Sequence, residues 1–232
     1  FVNYSHQFAE KHNVSGLILY NYNSHQAPGD GEYGGLPQVY QGLVARANYD
    51  FEGKYLVEIN LGYNGSNRFV EGERYALFPS ASVGWIVTHE SFLKYSKLLP
   101  YWKIRASLGQ VGNDKFGSNF AYYSEATYAA GTNYNFGESP TAASGGLLEG
   151  KAAQIVSWER STKFNIGMDT RWFEGKLTLN AEYFRENRTN ILKTPSRTNI
   201  ISGVTSFSPQ NLMEVKNQGV EVEVGWDHKI KD

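Results

Sequence analysis

The side chains able to do chemistry are sparse in this sequence and poorly spaced for it. The histidines His6, His12, His25, His89 and His228 form no HxH or HxxxH pair that would present two imidazoles to one metal ion. There is no cysteine, so a thiolate metal site, a thiol nucleophile and a disulfide framework are all excluded. No GxSxG turn offers a serine for acyl transfer, and no glycine-rich loop ending in Lys-Ser/Thr offers a phosphate cradle. A Ser–His–Asp triad assembled from distant residues carries no weight, because any chain of this length supplies one. The acidic turns at 112–114 (GND) and 30–32 (DGE) hold too few carboxylates for a calcium loop and read as ordinary turn residues. The expectation is a protein that is not an enzyme, with no metal and no cofactor.

One stretch suits binding rather than catalysis. Between 113 and 157, Tyr122, Tyr123, Tyr128, Tyr134 and Phe136 sit among Asn, Ser and Gly. Aromatic faces stack on sugar rings and apolar side chains, while Asn and Ser supply adaptable hydrogen bonds. These residues are candidates for an outer loop that touches a ligand or a partner. The same rings could instead pack the loop onto itself.

What would hold such a loop is read from composition and periodicity. The chain has 232 residues, 22 basic and 23 acidic, so its net charge is −1 and no global field draws in nucleic acid. No apolar run approaches the length of a transmembrane helix. The first residues, FVNYSHQFAEKHN, lack a basic-then-apolar leader, so any export signal is expected upstream. Abundant Tyr, Phe, Trp and Gly favour strands over helices.

Alternation with a period of two recurs along most of the chain. It is clean at 43–51, 55–64, 102–109, 163–172, 177–184 and 219–227, and weaker near 14–22 and 77–87, for eight strands. In YLVEINLGYN, for example, Tyr55, Val57, Ile59, Leu61 and Tyr63 alternate with Leu56, Glu58, Asn60, Gly62 and Asn64. These runs exceed the ~5 to 6 residues usual in soluble sheets and approach the ~9 to 11 needed to cross a bilayer at a tilt. FEGK at 51–54 and again at 173–176 marks two tight turns, whereas 24–38, 65–76, 113–157 and 190–217 are long connections. The link 88–100 is intermediate, with room for a short helical turn. Short turns alternating with long loops is the asymmetry of outer-membrane barrels.

The charged residues Arg46, Asp50, Glu58, Lys103, Arg105, Lys163, Asp169, Arg171, Glu182, Glu221 and Glu223 share one face of their strands. A soluble antiparallel sheet with one wet face has the same alternation. Strand length, loop asymmetry and the aromatic residues at strand ends (Tyr49, Phe51, Tyr55, Trp172, Phe173) favour a membrane barrel. In that reading the apolar set faces lipid and the charged set faces a wet lumen, with Arg46, Glu58, Arg105 and Arg171 as lumen-facing candidates.

Several long segments resemble the barrel of SusC/RagA-type TonB-dependent transporters of the Bacteroidetes outer membrane. They are 52–93 (EGKYLVEINLGYNGSNRFVEGERYALFPSASVGWIVTHESFL), 99–114 (LPYWKIRASLGQVGND), 158–192 (WERSTKFNIGMDTRWFEGKLTLNAEYFRENRTNIL) and 217–227 (NQGVEVEVGWD). The resemblance implies an all-β antiparallel transmembrane barrel of 22 strands, of which about eight lie in this chain. All of 1–232 then belongs to one barrel, with the plug domain and the other strands outside it. It further implies a nutrient importer of the outer membrane, taking up an oligosaccharide or a peptide. The expected partners are a SusD-like surface lipoprotein, TonB and membrane lipid, and nucleic acid is not among them. Two alternatives stay open: a self-contained eight-stranded structural or adhesive barrel, and a soluble carbohydrate-binding β-sandwich.

Overall fold

In the computed structural model the alternating runs become strands of one antiparallel meander. The structure describes residues 1–26, 35–115, 134–136, 141–143, 156–193 and 209–227. In chain order the strands are β1 (Val2–Phe8), β2 (His12–His25), β3 (Gln38–Phe51), β4 (Tyr55–Ser66), β5 (Tyr75–Ile86), β6 (Tyr101–Asn113), β7 (Tyr134–Phe136), β8 (Thr141–Ala143), β9 (Glu159–Trp172), β10 (Leu177–Lys193) and β11 (Gln210–Trp226). Nine form a single sheet in the order β1-β2-β3-β4-β5-β6-β9-β10-β11, and β7 and β8 form a separate two-stranded sheet. Successive strands of this sheet are neighbours, with β9 pairing β6 across the β7–β8 insertion, the arrangement that antiparallel connections favour. This is one continuous sheet rather than the two packed layers of a sandwich, and its outer strands β1 and β11 are edges.

The nine-stranded sheet has one strand more than the eight expected, and β7 and β8 lie in the stretch 113–157 expected to be a connection. β1 precedes the eight, and in it Val2, Tyr4, His6 and Phe8 alternate with Asn3, Ser5 and Gln7. His6 interrupts the apolar series by type, yet its ring lies edge-on to Phe8 at 4.4 Å between centroids and fits the aromatic row. β10 and β11 are also longer than their alternating portions, with 17 residues each. The connection expected over 190–217 is therefore shorter, because Arg188 still pairs with Val215 and Lys193 with Gln210.

The tight turns that join strands of the nine-stranded sheet sit at one end among the described residues. Between β3 and β4 the turn uses Glu52 and Gly53 at φ 52° and 64°, and between β9 and β10 it uses Phe173, Glu174 and Gly175 at φ 51°, 58° and 91°. Glycine adopts this left-handed conformation freely. Asp50 accepts a hydrogen bond from the Gly53 amide at 2.7 Å and so closes the first turn. Neighbouring turns are tied together: the Glu52 amide donates to Lys11 O, Ile86 to Lys54 O, and Asp227 to Lys176 O, each at 2.8 Å. The intermediate link begins with a 3-10 turn at Val87–His89, where the helical turn was expected.

The two faces of the sheet differ sharply. On one face large apolar side chains stand exposed, among them Ile59, Leu61, Val83, Leu108, Ile166, Val222 and Val224. The other face is largely polar, with Glu58, Asn60, Lys103 and Arg105 half-buried and a few apolar side chains such as Val44 and Leu56 among them. Such an inside-out distribution has no stable place in water, where a contiguous apolar face this large would be covered. Among the described residues the sole cluster of buried apolar side chains lies at the long-connection end: Phe69, Ala76, Phe78, Val156 and Trp158. There the β5–β6 ladder stops at Ser80–Gly109, beside Pro79, which has no N–H to continue it. The Phe78 ring takes the space above Gly112, where a Cβ would overlap it. Trp158 packs on Phe69 and Phe78 at 4.9 and 5.4 Å between ring centroids, and its indole N–H donates to Arg74 O at 3.2 Å.

Candidate functional site

The polar face is built by strand register. Cross-strand neighbours on one face lie close enough for side chains to pair, so charges distant in sequence meet. Arg46 on β3 stands opposite Asn60 on β4. Its Nε donates to Asn60 Oδ1 at 2.7 Å, and Asn60 Nδ2 donates to Glu58 Oε1 at 2.7 Å. Two of the lumen-facing candidates, Arg46 and Glu58, are thus linked through an asparagine that sequence reasoning had not selected.

Arg105 on β6 organises a second network. In register it faces Gly167 on β9, which faces Glu182 on β10. The guanidinium hydrogen-bonds Glu182 and lies 3.3 Å from an Asp169 carboxylate oxygen. Asn165 Nδ2 donates to the other Glu182 oxygen at 2.6 Å. Arg171, the fourth candidate, stands apart with its guanidinium 5.2 Å from the centre of the Tyr101 ring, a cation–π contact. Alternation alone puts Asp169 and Glu182 on the charged face, while their shared contact with Arg105 follows from register across three strands.

Between the two networks lies a hollow of about 600 Å³ whose lining runs from Ser5 on β1 to Asn165 on β9. A hollow lined by so many successive strands means that the sheet curves around its polar face. Asp50, Glu58, Lys103 and Arg105 supply its charges, two of each sign, and Ser15, Asn48 and Ser107 are among its neutral polar groups. Such a wall can wet a passage and hold a polar surface laid against it. Among the described residues no three His, Asp or Glu side chains gather as a metal-binding group.

The aromatic candidates are placed less fully. Tyr134 and Phe136 lie in β7, within the separate β7–β8 hairpin. Tyr122, Tyr123 and Tyr128 lie outside the described residues. At the same end, Arg68 Nη1 donates to Asp114 O at 3.4 Å, and Asp114 accepts from the Ser66 hydroxyl at 2.8 Å.

Comparison with known proteins decides the family. The model for the TonB dependent receptor-like β-barrel matches residues 2–230. The chain belongs to the TonB-dependent receptor β-barrel family. TonB-dependent receptor P3 of Formosa agariphila is 30% identical over 184 residues, covering 78% of this chain and 17% of that protein. TonB-dependent receptor SusC of Bacteroides thetaiotaomicron is 30% identical over 189 residues, covering 77% of this chain and 18% of SusC. This segment of a TonB-dependent receptor barrel therefore spans less than a fifth of these relatives. In fold it matches a chain of the RagAB peptide transporter with TM-score 0.73 and 22% identity, over 96% of this chain and 26% of that one. The match to RagAB in its open-open state has TM-score 0.75 and 21% identity, over 99% of this chain and 27% of that one. The resemblance to SusC-like receptor barrels drawn from the sequence is upheld, as is the all-β antiparallel barrel fold.

Proposed function

We propose that this chain is a stretch of the barrel wall of a TonB-dependent importer of the bacterial outer membrane, with its apolar face in lipid and its polar face lining the lumen. The observation that carries this reading is the two-faced sheet: Ile59, Val222 and their neighbours exposed on one side, the Arg46 and Arg105 networks on the other. The wall itself breaks no covalent bond.

The tilt of the apolar band supports a membrane setting. One row of cross-strand partners passes through Gly16, Ala47, Ile59, Ala81, Leu108, Phe164, Arg185 and Gln218. On β2 the exposed apolar side chains Ile18, Tyr20 and Tyr22 lie on the long-loop side of that row. On β11 their counterparts Val220, Val222, Val224 and Trp226 lie on the short-turn side. A slip of about 1.3 residues per strand corresponds to strands tilted by about 40° against a level band. That falls within the tilts of outer-membrane barrels.

In the whole receptor, ligand capture at the long-loop mouth is followed by plug displacement, driven by TonB from the short-turn side. Arg46, Glu58, Arg105 and Arg171 wet the passage and seat the plug. Tyr122, Tyr123, Tyr128, Tyr134 and Phe136 contribute to the outer loop that meets ligand or a SusD-like lipoprotein. The cargo is an oligosaccharide or a peptide; kinship with SusC and likeness in fold to the peptide transporter RagAB support these two classes. The test is growth of the source bacterium on oligosaccharide or peptide mixtures after deletion of the full-length gene or of TonB. Loss of growth on one mixture in both strains is expected. Unchanged growth of the receptor deletion on both mixtures would sink the importer reading.

A further inference from the structure

The link between β5 and β6 is the longest described connection at the short-turn end, and it carries a surface that the transport reading leaves unused. Phe92, Tyr95 and Leu98 are 70%, 86% and 55% exposed, three large apolar side chains at intervals of three residues. Lys94 and Lys97 lie between them, exposed and without an ion pair among the described residues. The segment is not a loose loop. Leu93 N and Lys94 N both donate to Glu90 O, Leu99 N donates to Ser96 Oγ, and Leu98 O accepts from Phe173 N of the next turn at 3.0 Å.

Its side of the sheet is fixed by Glu90. One oxygen of that carboxylate accepts from the Tyr55 hydroxyl at 2.6 Å and from the Trp85 indole N–H at 3.3 Å. Tyr55 and Trp85 are cross-strand partners at the lower margin of the exposed apolar face. The segment therefore leaves the sheet directly beneath the apolar band. Aromatic and aliphatic side chains interleaved with lysines are the composition of an interfacial membrane anchor: the rings enter the headgroup boundary and the ammonium groups reach lipid phosphates.

We propose that residues 90–98 form an interfacial anchor on the inner leaflet of the outer membrane, with Phe92, Tyr95 and Leu98 in the headgroup boundary and Lys94 and Lys97 on the phosphates of anionic phospholipid. Charge complementarity and continuity with the apolar face select lipid as the occupant. The inference rests on the membrane-barrel reading, and the experiment separates the two.

In the full-length receptor, Tyr95→Cys carries an environment-sensitive fluorophore, and Ile59→Cys carries the same probe in the apolar band. Each labelled receptor is placed in vesicles of phosphatidylethanolamine with and without phosphatidylglycerol, using spin-labelled lipid as quencher. Quenching at both positions, strengthened at 95 by labelled phosphatidylglycerol, is expected. Each lysine raises the local preference for an anionic headgroup by a factor of about five. Lys94→Gln with Lys97→Gln should therefore abolish the phosphatidylglycerol preference at 95 and leave quenching at 59 untouched. Lipid quenching at 59 with a water-exposed probe at 95 overturns the anchor and leaves the barrel standing. A probe at 95 shielded from both water and lipid means that a protein surface covers the segment, which also overturns it. No lipid quenching at either position overturns the barrel reading as well.

Discussion

The guanidinium of Arg105 crosses over the neighbouring strand to reach Glu182, 77 residues later and two strands away. The crossing depends on Gly167, the residue between them in register. A Cβ there would lie 3.2 Å from Arg105 Cζ and 3.1 Å from the Ala181 carbonyl oxygen. A strand glycine that looks like a weakness in the sequence is the gap through which two charges meet.

Gly167→Val should therefore displace Arg105 and lower the stability of the barrel by about 1–3 kcal/mol, the usual cost of overpacking. Arg105→Gln should cost about 1 kcal/mol, because the pair is partly hydrated, and Glu182→Gln in the same chain should recover most of it. Urea unfolding of the purified receptor, followed by tryptophan emission, measures both. Additive losses in the double variant would mean that the two residues do not act as a pair.

Face assignment can be tested by two arginines. Ile59→Arg places a charge on the exposed apolar face, at a cost of ~2 to 4 kcal/mol near the bilayer midplane. Ser82→Arg, on the half-buried polar face beside the hollow, should assemble normally. Heat-modifiable migration of the folded receptor from outer-membrane fractions distinguishes them. Equal assembly of the two variants would mean the faces are misassigned.

Glu52 makes the rim of tight turns sensitive to acid. Hydrogen bonds from Lys11 and Lys54, at 2.8 and 2.9 Å, hold its carboxyl down from 4.5 to about 2. A lowered folded-state pKa contributes stability that is present above 4.5 and lost as pH falls toward 2. Glu52→Gln should flatten the acid limb of the unfolding midpoint against pH across that window. An unchanged acid limb in Glu52→Gln would show that the rim does not titrate through this residue.

At the opposite end, Trp158 should control local order. Trp158→Ala removes the ring that packs on Phe69 and Phe78 and the donor to Arg74 O, at a cost of about 3–5 kcal/mol for that cluster. Hydrogen exchange should accelerate in 67–78 and leave β9–β10 in the membrane band unchanged. Uniform acceleration along the chain would mean the cluster supports the whole sheet.

What was legible in the sequence follows the apolar band. Wherever a strand crosses that band, every second side chain is forced apolar, and 43–51, 55–64 and 163–172 read plainly. Beyond the band the backbone ladder continues while the constraint on side chains ends. The Asn187–Lys216 rung carries two polar residues on the outward face, so the outer thirds of β10 and β11 looked like loop. β1 was hidden by a histidine standing where an aromatic ring was needed.

The sequence by itself therefore determined the fold class, the two faces and the end at which the turns are tight, because alternation and turn chemistry are local. Only the tertiary structure decided which charges meet. Arg105 with Glu182, Ser66 with Asp114 and Phe78 with Trp158 are brought together by strand register across the sheet. Register is set by the closing of the whole ladder, and no short window of residues contains it.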